Sequence, residues 1–142
     1  MKISGLSQSQ LVDAYQKEVR SILELAVPVW SSGITIEQST QIERVQKSAL
    51  AAILGSEYQS YGKALKNLGI QRLTVRRESI CKKFIVKNMQ SSKPLLTPVT
   101  KAYNTRSGPN LVEEFSCRTQ KFFSSSLPYL ARLYNNNVKN QV

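Results

Sequence analysis

The chain has 142 residues, 41% apolar and 20% charged, with two cysteines, no histidine and a formal charge of +11. That length suits one domain with enough apolar material for a core. The missing histidine excludes Ser-His-Asp and Cys-His nucleophile systems, and Cys81 and Cys117, far apart in sequence, supply neither a disulfide framework nor the paired spacing of a zinc site.

Ser7 and Gln10 have the spacing of a capping box. They predict a helix whose apolar face, Leu11, Val12, Tyr15, Val19, Ile22, Leu23 and Ala26, recurs at steps of three and four. Pro28 lacks an amide hydrogen and disfavours a helical Val27, so this helix is expected to end or kink near Ala26. Ser31-Ser32-Gly33 reads as a turn. Trp30, the only tryptophan, is expected to fold back over the tip of a helical pair and cover both helix ends; the functional alternative is a stacking platform for a base.

Thr35 and Gln38 form a second capping box, and Ile42, Val45, Ala49, Ile53 and Leu54 mark a second helix that Gly55 stops. Glu43 and Lys47 are spaced as a supporting pair on its wet side. The short connection predicts an antiparallel helical hairpin. A third helix is expected from Ser60 to Leu68, with Tyr61, Ala64, Leu65 and Leu68 inward and Gly69 closing it. Thr74 is expected to cap a fourth, from Val75 to Met89, that buries Ile80, Cys81, Phe84, Ile85 and Met89. Beyond Gln90, proline, glycine, serine and asparagine clusters, Asn135-Asn136-Asn137 among them, interrupt every pattern. That segment is expected to be a partly ordered tail, docked by Leu95, Leu96, Tyr103, Phe115, Phe122 and Phe123, with a short helix from Pro128 to Tyr134. The fold class read from this is all-α: a small bundle of about four helices that opens with an antiparallel hairpin, plus an irregular C-terminal tail. The expected division is 6–90 and 91–142. Cys81 reads as a small buried apolar residue and Cys117 as a loop residue.

No apolar run has the length of a bilayer span, and MKISGLSQSQ holds no signal-peptide block. An intracellular chain, cytoplasmic or nuclear, without membrane insertion is expected. Asp13 is the only aspartate and no glycine-rich phosphate loop is present, poor material for metal-assisted phosphoryl transfer. The expectation is a chain without catalytic residues, metal or cofactor of its own.

Charge is the positive feature. Up to Glu57 there are five basic and six acidic residues; from Tyr58 onward there are fifteen basic and three acidic. Such asymmetry suits a polyanion, nucleic acid before an acidic membrane surface. On the fourth helix Arg76, Lys83 and Lys87 are separated by seven and four residues, steps that return to nearly the same angle. This line lies opposite Phe84, Cys81 and Ile85. Arg72 joins it if the helix extends back that far, Lys82 and Arg77 widen it, and Glu78 falls on another face. A row of cations can follow a phosphate backbone; the bland alternative is the wet side of an amphipathic helix. The tail adds Lys101, Arg106, Arg118, Lys121 and Arg132 among Tyr103, Phe122, Phe123, Tyr129 and Tyr134, a mixture suited to single-stranded or irregular nucleic acid.

Three patterns in order carry a resemblance: Leu23-Glu24-Leu25-Ala26 with Pro28 and Trp30; Glu43-Arg44-Val45-Gln46-Lys47; and Ser60-Tyr61, Ala64-Leu65, Leu68-Gly69, Leu73 and Arg76-Arg77. Together with Asn104-Thr105-Arg106-Ser107-Gly108 near the end, they make the chain similar to the region after the polymerase core in reverse transcriptases of jockey-like non-LTR retrotransposons. Leu25 stands where that pattern carries an aromatic. The resemblance covers most of the chain and implies a helical, thumb-like region that grips a template–product duplex by its backbone, RNA, DNA or hybrid, beside a polymerase core. The paired aspartates of the catalytic palm are absent, so the resemblance implies no catalysis here. The rival expectation is a helical protein–protein interaction or oligomerisation module with an incidental basic surface.

Overall fold

The computed structural model describes residues 5–99 and 111–139. In chain order its elements are α1 (Gln8–Ala14), a π-helical turn (Tyr15–Val19), α2 (Arg20–Leu23), α3 (Val27–Trp30), α4 (Ile36–Leu54), a 3-10 turn (Gly55–Glu57), α5 (Tyr61–Leu68), α6 (Leu73–Met89), α7 (Gln120–Phe123) and α8 (Ser126–Lys139). The fold is all-α: among the described residues the only extended pairing is an isolated antiparallel bridge, Pro98 to Val112.

Local chemistry places the starts and stops. Ser7 Oγ accepts the Gln10 amide at 3.3 Å, and Gln10 Oε1 accepts the Ser7 amide at 2.8 Å. Thr35 and Gln38 repeat the exchange at 3.2 and 2.9 Å. Each box satisfies donors that a helix N-terminus otherwise leaves open. Gly69 ends α5 in the left-handed conformation, φ 63°, where a side chain is disfavoured. Helix α6 begins at Leu73, so Thr74 lies inside it rather than capping it.

The first helical segment departs from its expected face. Its predicted stripe holds through Tyr15, which is buried, and then slips: Val19 and Ile22 are exposed. The cause is the π-helical turn, in which the Arg20 amide donates to the Tyr15 carbonyl. One inserted residue rotates everything beyond it. The helix ends at Leu23, not near Ala26. Ala26 takes a left-handed conformation, φ 51°, and Pro28 then sits in the first turn of α3. Proline is tolerated there because its missing donor has no partner to lose. It helps start a helix here instead of breaking one.

The contacts define two units: Met1–Leu25 with Thr35–Arg76, and Ala26–Ile34 with Arg77–Val142. In unit 1 the first helical segment and α4 make the expected hairpin. Tyr15, Leu50, Leu54, Ala64, Leu65 and Ile70 form its core, with Val12, Ala49 and Ile53 packed against them. The centre of α4 is Gln46, Leu50 and Leu54, whereas Val45 is exposed. Gln46 can be fully buried because both ends of its amide are used: Oε1 accepts the Tyr15 hydroxyl at 2.9 Å and Nε2 donates to the Gln71 carbonyl at 3.0 Å. Glu43 faces α5, accepting the Tyr61 hydroxyl at 2.7 Å, and is not ion-paired to Lys47.

In unit 2 the core is Val27, Cys81, Ile85, Leu96, Val112, Leu130 and Ala131. Trp30 packs against this core. The segment between α6 and α7 is irregular where described, as its turn residues imply, but α8 is longer than the expected Pro128–Tyr134 helix and contributes two core residues. Leu96 docks as expected; Leu95, Phe115, Phe122 and Phe123 are exposed, and Tyr103 lies outside the described residues. Both cysteines are free: Cys81 is buried and Cys117 partly so. Burial, opposed by nearby Arg77, pushes the Cys81 thiol up.

Candidate nucleic-acid interface

The five cations expected to meet phosphate do not share one environment. Arg72 and Arg76 belong to unit 1; Lys82, Lys83 and Lys87 belong to unit 2. Arg72 precedes α6 instead of extending it, and its guanidinium lies 5.9 Å from the centre of the Tyr61 ring. Arg76 is gripped by Glu24, Nε to Oε1 at 2.5 Å and Nη2 to Oε2 at 2.8 Å. This is the two-pronged geometry in which guanidinium and carboxylate match best, and the bond to Glu24 holds the Arg76 pKa above its usual range. Glu24 also lies 3.7 Å from Arg20 Nε. The expected acid-free line therefore breaks at Arg76. Its acid comes from a residue 52 positions earlier, which helical periodicity within α6 does not register. Lys82 is likewise paired, to Glu78 at 2.7 Å one turn back.

The Arg76–Glu24 pair supports unit 1. Glu24→Ala leaves a half-buried guanidinium without its carboxylate and is expected to lower the stability of unit 1 by about 1–3 kcal/mol. Urea unfolding followed by circular dichroism checks this; an unchanged midpoint counts against the pair as a support.

Lys83 and Lys87 are different. Both are exposed on α6, about 6 Å apart along its axis, and neither has an ion pair among the described residues. With Lys82, Val86 and Gln90 they line a shallow depression of about 290 Å³. Two open ammonium groups one turn apart can each take a phosphate oxygen, and Gln90 adds a neutral donor and acceptor beside them.

Arg77 does not widen the stripe as expected. It is 5% exposed, with its guanidinium 5.8 Å from the centre of the Trp30 ring. The sequence does carry a signal for this position: Leu73, Arg77, Cys81 and Ile85 recur every four residues, and all four are buried. In the tail, Arg132 lies 3.6 Å from the centre of the Phe123 ring and donates to the Phe123 carbonyl at 2.7 Å. Arg118 and Lys121 are exposed; Lys101 and Arg106 lie outside the described residues.

Among the described residues no group of three or more histidine, cysteine, aspartate or glutamate side chains is placed to hold a metal ion, and no helix is long and apolar enough to cross a membrane. No family model, curated protein or solved structure matches this chain.

Proposed function

We propose that this chain is an auxiliary nucleic-acid-binding region, non-catalytic on its own, that holds a phosphate backbone through Lys83 and Lys87. The single observation behind it is that pair: two exposed cations one helical turn apart, without an ion pair among the described residues. The charge of unit 2 supports it, with eleven basic residues against three acidic. The resemblance of the patterns at 23–30, 43–47 and 60–77 supports the narrower form, a thumb-like C-terminal region of a non-LTR reverse transcriptase working beside a polymerase core. Lys82 and Gln90 are assigned an accessory place at the same depression, while Arg72 and Arg76 act within unit 1.

The test is the double variant Lys83→Glu, Lys87→Glu, titrated against a labelled RNA–DNA duplex at several salt concentrations. Affinity at low salt is expected to fall by about tenfold or more, and the slope of log K against log salt to fall by about 2, one for each phosphate no longer neutralised. Circular dichroism is expected to stay unchanged, since both side chains are exposed. Unchanged affinity and slope overturn the proposal.

A helical interaction module is the second reading, and one observation favours it. Pro28, Val29, Phe84, Leu95 and Leu127 line an apolar groove of about 280 Å³ in unit 2. If that groove is a protein contact, Phe84→Glu abolishes self-association or partner binding in sedimentation while duplex affinity stays as it was.

A further inference from the structure

We infer that Phe115, Phe122 and Phe123 form a stacking surface for unpaired bases of a single-stranded nucleic acid. The three rings are 40, 43 and 44% exposed, although the core of their unit is complete without them. One exposed apolar residue is ordinary; three phenylalanines grouped on one short segment are not. Phe115 and Phe122 meet edge to face, centroids 6.2 Å apart and planes at 87°. That geometry uses one edge and one face and leaves further ring surface open. Next in the chain, Phe123 carries the Arg132 guanidinium against its ring, held by the bond to the Phe123 carbonyl. A stacked guanidinium is itself a planar cationic platform.

Charge decides the occupant. Arg118 and Lys121 are exposed on the same segment, and neither has an ion pair among the described residues. Exposed rings on a segment that carries Arg118 and Lys121, with Glu113 and Glu114 before them and Glu114 bonded to Asn135, match a strand that presents both a polyanionic backbone and flat bases. A duplex keeps its base faces stacked inside, so the rings select the unpaired strand. The inference rests on the reading of unit 2 as a nucleic-acid binder, but it uses residues other than Lys83 and Lys87.

The experiment compares a labelled deoxythymidine oligomer of about 12 nucleotides with an abasic phosphodiester of equal length. The protein is expected to bind the base-bearing strand about tenfold more tightly. Phe115→Ala with Phe122→Ala is expected to remove that preference and leave duplex affinity unchanged, and Phe115→Trp with Phe122→Trp to retain it. Equal binding of the two strands by the unaltered protein overturns the stacking surface, as does a preference that survives in the alanine variant. Binding of no strand and no duplex overturns the proposed function itself, a separate outcome.

Discussion

Asn135→Ala is expected to lower the stability of unit 2 by about 3–5 kcal/mol. Asn135 is 1% exposed and ties α8 to the extended segment at 111–114. Its Oδ1 accepts the amides of Leu111 and Val112 at 3.0 and 3.1 Å, and its Nδ2 donates to the Val112 carbonyl and to Glu114 Oε1, both at 3.1 Å. Two donors on one side and two acceptors on the other leave a single sensible orientation for the amide. Alanine removes all four bonds at once, and each buried backbone group left without a partner costs about 1–3 kcal/mol. Trp30, the only tryptophan, packs against the core of this unit, so its fluorescence reports the unfolding. With urea slopes of about 1–3 kcal/mol/M, the midpoint is expected to drop by roughly 1–5 M. Asn135→Asp keeps the acceptor but turns a carboxylate toward the Val112 carbonyl and the Glu114 carboxylate. Its deficit is expected to shrink as the pH falls and the new group gains a proton. A midpoint that alanine leaves in place would mean the clamp holds nothing.

Asn135 also marks a boundary of what sequence alone reveals. In Asn135-Asn136-Asn137 the residue type argues for a turn, because asparagine competes with the helix backbone for hydrogen bonds. The tertiary setting overrides that preference: Ala131 and Asn135 lie one turn apart on the buried face of α8, and the competing amide is occupied by another segment. The legible features are those whose physics is confined to neighbours in sequence. Ser7 with Gln10, Thr35 with Gln38, and Gly69 all act within one or two turns, and each behaves as its spacing implies. The π-helical turn after Ala14 and the left-handed Ala26 have no such local cue, and they reset the face of the first helix and the role of Pro28.

The candidate interface divides in the same way. Exposure of Lys83 and Lys87 follows from the angle they occupy on α6, opposite Cys81 and Ile85, and is readable in the sequence. The fate of Arg76 is not, since it depends on Glu24 arriving from a distant part of the chain. A basic residue in a helical stripe is thus open to a ligand only where no carboxylate returns to it. Length along the helix therefore overstates the number of cations available for phosphate.

Raising the pH from about 10 to about 12 is expected to remove about 3 kcal/mol of stability from unit 1 through Tyr15 alone. Burial, opposed by Arg20 and aided by Glu24 and Glu43, pushes this phenol from 10.0 up to about 12. The unfolded chain releases that proton near pH 10 and the folded chain only near 12. The stabilisation is thus complete below about 10 and lost across that interval. Tyr61 adds to the effect in the same direction, since burial and its bond to the Glu43 carboxylate also raise it. Tyr15→Phe provides the control. At neutral pH it is less stable, because Gln46 Oε1, fully buried, loses its donor, at about 1–3 kcal/mol. Above about pH 10, however, phenylalanine has no proton to lose, so the variant's decline is shallower and the gap between the two proteins closes. Urea midpoints by circular dichroism at about pH 7, 10 and 12 measure that gap, and phenolate absorbance follows the late-titrating tyrosine. If the gap stays constant over that range, Tyr15 is not the group whose burial sets the alkaline limit of this unit.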